Sequence, residues 1–377
     1  MKSEKQTMVS TEPVWSTYIH AKGAALGMPV AGNFELTGRC NFGCKMCYVH
    51  DSDGTDELSA DQWIEIGRQA VEKGMVFLLL TGGEPLLRKD FKEIYSALKK
   101  LGLLISINTN GSLIDQDMFD FLSENPPLRM NISLYGCSNE TYARLCGKPV
   151  FDVVSRNIIR LHEAGISVRI NSSITPYNAC DIKGLYEFAE QWDLPLKATT
   201  YMFPPVRVNG CKYGEAKHRF SAEEAAGYMM QCQEQYLTPE RLAENYEEIF
   251  FEDEDCAGSD EHMRCRAGSS AFWVTWDGRM LPCGMFPSEG FAIAEHGFEG
   301  AWQAVRAFTK SILLPEKCSR CSHKRKCPAC AAACLAETGR TDVLPDYICE
   351  MTSTLNKMTG EKYGYAAKNE SFLEKSK

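Results

Sequence analysis

The chain has 377 residues, enough for two domains or for one large barrel with an appendage. Its composition, 44% hydrophobic and 24% charged, is that of a globular protein, and apolar runs such as residues 75–80 fall far short of the ~20 residues a membrane span needs. The N-terminal residues hold no apolar stretch of secretory type, and a net charge of −9 speaks against nucleic acid, whose binding needs a basic surplus.

In chain order, residues 1–33 read as an N-terminal arm. Within a barrel domain expected at 34–215, short apolar runs alternate with amphipathic stretches from 34 to about 202, and strands are expected at 33–36, 75–80, 103–108, 129–134, 168–174 and 196–202. Ser59 followed by Gln62 forms a capping box for a helix that Gly74 stops. Asp90 with Glu93 opens the next helix, and Asp152 opens another that ends at Gly165. Six strands, each followed by a helix, imply parallel pairing with right-handed crossovers, hence α/β class and a partial (β/α)6 TIM-like barrel. Chemistry in such a barrel gathers at the C-terminal strand ends. A helical and acidic connector follows at 216–260, and residues 240–261 hold ten acidic side chains against one Arg, a solvated face or a docking surface for a basic peptide. Residues 261–350 are loop-rich, thiol-rich and poor in core, so metal clusters are expected to staple them; 351–377 read as a tail.

Seventeen cysteines, an odd number without an export signal, argue for reduced thiols in a cytoplasmic protein and against a disulfide framework. Cys137, Cys146, Cys180, Cys211, Cys232 and Cys256 are scattered, and most of them read as small buried hydrophobes. The other eleven fall in two groups. Cys40, Cys44 and Cys47, spaced C-x-x-x-C-x-x-C directly after the first strand, place three thiolates on one compact loop. A closed zinc site wants four ligands, which His50 would complete. Three thiolates with an open corner suit a [4Fe–4S] cluster that must bind something else.

This motif, so placed, resembles the radical S-adenosylmethionine (SAM) superfamily. The second strand runs into Thr81, Gly82, Gly83, Glu84 and Pro85, which is similar to that family's GGEP element; there the element holds the methionine amine of SAM. Two glycines permit close backbone approach, and a carboxylate can receive an ammonium. Asn110 after the third strand, Ser133 on the fourth and Arg144 beyond it resemble further SAM contacts, as does Tyr48 beside Cys47. Met46 stands where the family usually has an aromatic residue and reads as packing. The resemblance covers residues 34 to about 202.

The downstream thiols resemble the SPASM extension of radical SAM maturases, which binds two auxiliary [4Fe–4S] clusters. Cys265 is followed by twelve residues, Gly278, four residues and Cys283; then come Cys318, Cys321, Cys327, Cys330, Cys334 and Cys349. By that analogy Cys318, Cys321, Cys327 and Cys349 hold an outer cluster. Cys265, Cys283 and either Cys330 or Cys334 hold an inner one, with Cys256 a further candidate. Zinc knuckles on the two Cys-x-x-Cys pairs are the plainer alternative.

The resemblance implies reductive cleavage of SAM to a 5′-deoxyadenosyl radical that takes hydrogen from substrate, with electrons from a flavodoxin- or ferredoxin-type donor. It implies a peptide or protein substrate, oxidised to a thioether or carbon–carbon cross-link. Thirty-three residues before the first strand are too few for the leader-binding domain many such maturases carry. An anaerobic sulfatase-maturating enzyme is a second reading, although Gly284 follows Cys283 where that group has an Asp. A small-metabolite dehydrogenase or epimerase is a third, and a non-catalytic metal scaffold a fourth. Cys137 is the candidate hydrogen-atom donor, and Tyr201 and Arg207 the candidate substrate contacts. Neither a membrane nor a nucleic-acid partner is expected.

Overall fold

The computed structural model describes residues 14–51, 56–209, 218–247, 262–263, 265–324 and 326–364. Cys211, Cys256, the far termini and most of the acidic stretch lie outside the described residues. Helix α1 (Val14–Leu26) leads into β1 (Ala31–Glu35) and a short β2 (Val49–Asp51), followed by α2 (Ala60–Glu72), β3 (Phe77–Thr81), α3 (Phe91–Lys100), β4 (Leu104–Thr109) and α4 (Gln116–Glu124). Then come β5 (Arg129–Ser133), α5 (Asn139–Cys146), α6 (Phe151–Glu163), β6 (Val168–Ser173), α7 (Ile182–Gln191), β7 (Leu196–Thr199) and β8 (Arg207–Asn209). The rest is α8 (Ala222–Tyr236), α9 (Pro239–Glu247), β9 (Ala271–Val274), β10 (Arg279–Leu281), β11 (Phe291–Ala292), α10 (Ile293–Lys310), α11 (Glu316–Ser319), α12 (Ala331–Thr338) and α13 (Asp346–Tyr363).

Strands β1, β3, β4, β5, β6 and β7 lie side by side in that order, all parallel, in a register that pairs Phe34 with Leu80, Ile107 with Met130 and Ile132 with Ile170. These residues are buried, as befits a parallel sheet covered by its crossover helices. The six expected strands are present, five of them within two residues at each end and the sixth ending at Thr199, three residues early, and the (β/α)6 half-barrel follows. The capping box at Ser59 is complete, its hydroxyl and the Gln62 side chain each taking one orphan donor of the first turn. Asp90 does not cap α3; Arg88 holds its carboxylate instead, with Nε to Oδ1 at 2.9 Å and Nη2 to Oδ2 at 2.7 Å. A charged bidentate partner outcompetes a backbone N–H.

The thiol-rich segment departs from expectation. It is not a loop module held by staples alone, because β9 pairs in parallel with β1 and β10 and β11 extend the same sheet to nine strands. Phe272 of β9 meets Phe298 and Trp302 of α10 at centroid distances of 5.3 and 6.0 Å, inside the main core. The described part of the N-terminal arm packs on this extension: the Trp302 indole donates to Gly27 O at 2.9 Å, and His20 Nδ1 bonds Ser270 Oγ at 3.0 Å. Across the barrel mouth, β2 pairs with β8, joining the segment after β1 to the one after β7. Among the described residues no helix is long and apolar enough to cross a membrane.

Candidate functional site

The loop from Leu36 to Tyr48 carries the three-cysteine motif at the C-terminal end of β1, and its path is held from below. Buried Arg88 donates to Leu36 O at 2.8 Å and Leu58 O at 3.0 Å. Glu57 accepts from the Thr37 hydroxyl and, at 3.1 and 2.8 Å, from Arg39 Nε and Nη2. Gly83 N and Glu84 N donate to Thr37 O and Arg39 O at 2.7 and 2.9 Å. The two glycines therefore make room first for the chain's own backbone. A Cβ on Gly82, whose φ is +154°, would stand 2.6 Å from Thr37 O, and one on Gly83 would stand 2.3 Å from Arg39 O. Gly83→Ala is expected to push residues 37–40 out of place and cut iron bound at the first motif by ~10-fold or more, read as iron per chain after anaerobic reconstitution. Full iron retention would show that the loop tolerates the shift.

From above, α5 closes the loop. Its last carbonyls, Leu145 O and Cys146 O, each accept at 3.0 Å, from Lys45 N and Gly43 N on either side of Cys44. The thiol of fully buried Cys146 hydrogen-bonds Cys44 and, together with burial, holds the Cys44 thiol above its ordinary range. Burial likewise pushes Cys40 up to about 12, and Asn110 Nδ2 approaches its sulfur at 3.9 Å. A bound cation reverses this, since a coordinating thiol gives up its proton. Met46 packs in the core, as read from the sequence.

Glu84 is wholly buried at the head of the GGEP turn. Its Oε1 accepts from Leu86 N at 3.0 Å and Thr109 Oγ1 at 2.8 Å, and its Oε2 accepts from Asn110 N at 2.7 Å. It thus pins the end of β4 to the end of β3, a structural duty that spacing alone did not reveal. Burial pushes its carboxyl up to about 7 from 4.5, against the pull of those three donors. Between these values the folded chain holds a proton the unfolded chain has released, so stability falls as pH rises from about 4.5 to about 7, by about 3 kcal/mol. Urea midpoints of the metal-free protein are expected to drop over that window, and Glu84→Gln to flatten the drop; a variant with the wild-type slope would refute the assignment.

Asn110 Nδ2 bonds Asn41 Oδ1 at 2.8 Å, and Asn41 in turn donates to Ser112 Oγ at 2.9 Å, so Asn110, Glu84 and Cys40 meet at one place. Ser133 hydrogen-bonds the buried Tyr135 hydroxyl, which lies in the field of Cys44, Cys47 and Cys146. Arg144 is not brought there. Two residues from Cys146, it falls on the opposite face of α5, exposed, and donates to Thr141 Oγ1 at 3.3 Å and Cys180 Sγ at 3.8 Å. Cys137 packs against Gly184 of α7, with its sulfur near Asp181 O at 3.8 Å, the setting of a packed thiol. Tyr48 sits where β2 begins, its carbonyl accepting from Val206 N at 3.3 Å. Tyr201 is buried, and its hydroxyl donates to Glu337 Oε1 at 2.9 Å, so it joins the barrel to α12. Arg219 grips the same carboxylate with two N–H groups at 2.7 and 3.1 Å. The side chains of Arg207 and His50 lie outside the described residues.

The downstream thiols surround two adjoining cavities. One, of about 280 Å³, is lined by Cys318, Cys321, Cys327, Cys330, Cys334 and Cys349. The other, of about 340 Å³, is lined by Cys265, Cys283, Cys318 and Cys330. Burial pushes Cys318 up to about 11, with Cys349, Cys327 and Cys321 adding to the effect, and Cys265 is raised by burial and by Cys330. Cys334 is buried inside α12 and pushed up to about 12 by burial. Among the described residues no three His, Cys, Asp or Glu converge as donors on one ion; a cubane makes no such demand, because each thiolate meets its own iron.

Residues 34–189 match the sequence profile of the radical SAM superfamily. The chain carries a radical SAM domain over those residues. Among its relatives is the AdoMet-dependent heme synthase of Methanosarcina barkeri, 26% identical over 329 residues, which are 81% of this chain and 92% of that one. The PqqA peptide cyclase of Rhizobium meliloti is 26% identical over 331 residues, 81% of this chain and 84% of that one. Streptococcus suis SuiB, solved with its precursor peptide SuiA, shares the fold with a TM-score of 0.65 at 18% identity, covering 90% of this chain and 82% of that one. A radical SAM domain implies a [4Fe–4S] cluster and SAM as cofactors. The first motif fits them: three thiols on a braced loop leave one iron without a protein ligand, and the buried Glu84–Asn110 corner stands beside Cys40. Sequence reasoning missed the braces of this radical SAM site, Arg88, Glu57 and Cys146. Arg88 and Glu57 belong to no motif, and Cys146 reads as one scattered thiol among many.

Proposed function

We propose that this radical SAM enzyme is of the SPASM type and oxidatively matures a peptide or protein substrate. The observation that carries the reading is the pair of adjoining thiol-lined cavities beyond the barrel, built from eight cysteines. When bound, the cluster and SAM supply a 5′-deoxyadenosyl radical able to take an unactivated hydrogen. The chain's own part is positional. Cys40, Cys44 and Cys47 hold the cluster, Glu84 and Asn110 shape the seat for the methionine end of SAM, and Ser133 supports it from β5. In the outer cavity Cys318, Cys321, Cys327 and Cys349 serve one auxiliary cluster. Cys265 and Cys283 serve the other together with Cys330. Supporting Cys330 over Cys334 is its place beside Cys265 in the second cavity, which Cys334 does not line. Reduction comes from an external flavodoxin- or ferredoxin-type donor.

The peptide reading draws on the relative named PqqA peptide cyclase and on SuiB with its bound precursor peptide. The relative named heme synthase supports the alternative, a small-molecule oxidation on the same machinery. A sulfatase-maturating role is disfavoured by space as well as by residue type. Gly284 lies against the Trp273 indole, 2.7 Å from where a Cβ would stand, so no acidic side chain fits there. The test is anaerobic reconstitution, expected to give about twelve irons per chain, four for each cubane. It is followed by SAM, dithionite and a synthetic copy of a Cys-rich peptide encoded beside the gene. Loss of hydrogen from the peptide with 5′-deoxyadenosine release supports maturation; 5′-deoxyadenosine with an unchanged peptide turns the choice to the small-molecule reading.

A further inference from the structure

A strongly acidic chain carries one dense cationic run, and two of its lysines border the outer thiols. Residues 317–326 hold five Lys or Arg and no Asp or Glu, in a protein of net charge −9. Arg325 lies outside the described residues, but Lys317, Arg320, Lys324 and Lys326 are exposed. Lys324 donates to a neutral partner, Ser319 O, at 3.1 Å. Lys317 and Lys324 wall the cavity that Cys318, Cys321, Cys327 and Cys349 line. Those four thiols are only half-buried, and Cys330 beside them is exposed. Glu316 and Asp346, at the first turns of α11 and α13, border the collar without entering the run. A cationic rim around thiols this shallow is suited to a negatively charged protein that must come close to whatever those thiols hold.

Resting on the reading of the outer thiols as a cluster site, we propose that Lys317, Arg320, Lys324 and Lys326 form the docking surface for an acidic one-electron carrier protein. Charge complementarity selects the partner. The rest of the acidic enzyme repels such a carrier, so encounters are steered to the one face where the thiols come near the surface.

The experiment uses the full-length, reconstituted enzyme and an oxidised plant-type [2Fe–2S] ferredoxin as the acidic probe. Its dissociation constant is measured anaerobically at about 20 mM and about 200 mM salt, where screening lengths differ several-fold. Affinity is expected to fall about ten-fold between the two salts, and about ten-fold at low salt in a Lys317→Glu/Arg320→Glu/Lys324→Glu variant. The neutral triple Lys317→Gln/Arg320→Gln/Lys324→Gln, gentler on folding, is expected to lose about three-fold. Iron content and dithionite-driven 5′-deoxyadenosine release report separately on the cluster reading. An enzyme lacking downstream iron defeats that reading whatever the ferredoxin does. An iron-replete enzyme whose ferredoxin affinity ignores salt and both triples overturns the docking surface alone.

Discussion

Cys44→Ala is expected to abolish 5′-deoxyadenosine formation from SAM, a loss of more than about 100-fold, while the downstream thiols keep their iron. Cys44 is the central cysteine of the first motif, flanked on both sides by backbone bonds to the end of α5. Its removal leaves two thiolates on a loop whose path is otherwise intact, because the braces at Arg88, Glu57 and Gly83 do not involve it. Total iron is therefore expected to fall by about four per chain out of about twelve. The Cys146 thiol lies alongside, so a Cys44→Ala/Cys146→Ala double variant guards against substitution of one sulfur for another. Persistent cleavage of SAM in the double variant, or loss of all iron in the single one, contradicts the assignment of separate cluster sites.

The second large effect is expected at the joint between barrel and extension. Glu337 of α12 takes two N–H groups of Arg219 and the Tyr201 hydroxyl, and its side chain is 8% exposed against 20% for Arg219. Arg219 also lies over the Tyr347 ring, 4.2 Å from its centroid. Glu337→Ala strands a half-buried guanidinium and a buried hydroxyl, which costs about 2–4 kcal/mol in urea unfolding. Glu337→Gln keeps an acceptor for Tyr201 and is expected to cost about half as much. Because Cys330 immediately precedes α12 and Cys334 lies within it, the alanine variant is also expected to bind less downstream iron than the glutamine one. Equal iron and equal midpoints in wild type and both variants would remove the joint from consideration.

The parts of the fold set by local physics were open to reading. Six buried parallel strands announce themselves as apolar runs, and Ser59 with Gln62, and glycines such as Gly165, mark helix ends whatever the tertiary context. The first motif's three cysteines were open for the same reason: their spacing in one loop sets them together. What remained hidden depends on distant partners. Nothing local in residues 271–274 says that they pair with β1, some 240 positions earlier in the chain. Tyr201, placed at a strand end, reads as facing substrate until Glu337 claims its hydroxyl. Glu84 shows the converse. Its motif points to a ligand, yet its first duty is to backbone amides and a threonine that only the folded sheet delivers.

The nine-strand sheet bears on how this protein can be dissected. β1, which launches the cluster loop, is an interior strand only because β9 covers one of its sides. Amputating the C-terminal third would bare a row of unpaired amides and carbonyls on the very strand that leads into the Cys40 loop, and would strip Phe34 of its Phe272 neighbour, 6.4 Å away. An isolated catalytic half should then associate with copies of itself through that naked margin, and lose its grip on iron before any auxiliary chemistry comes into question.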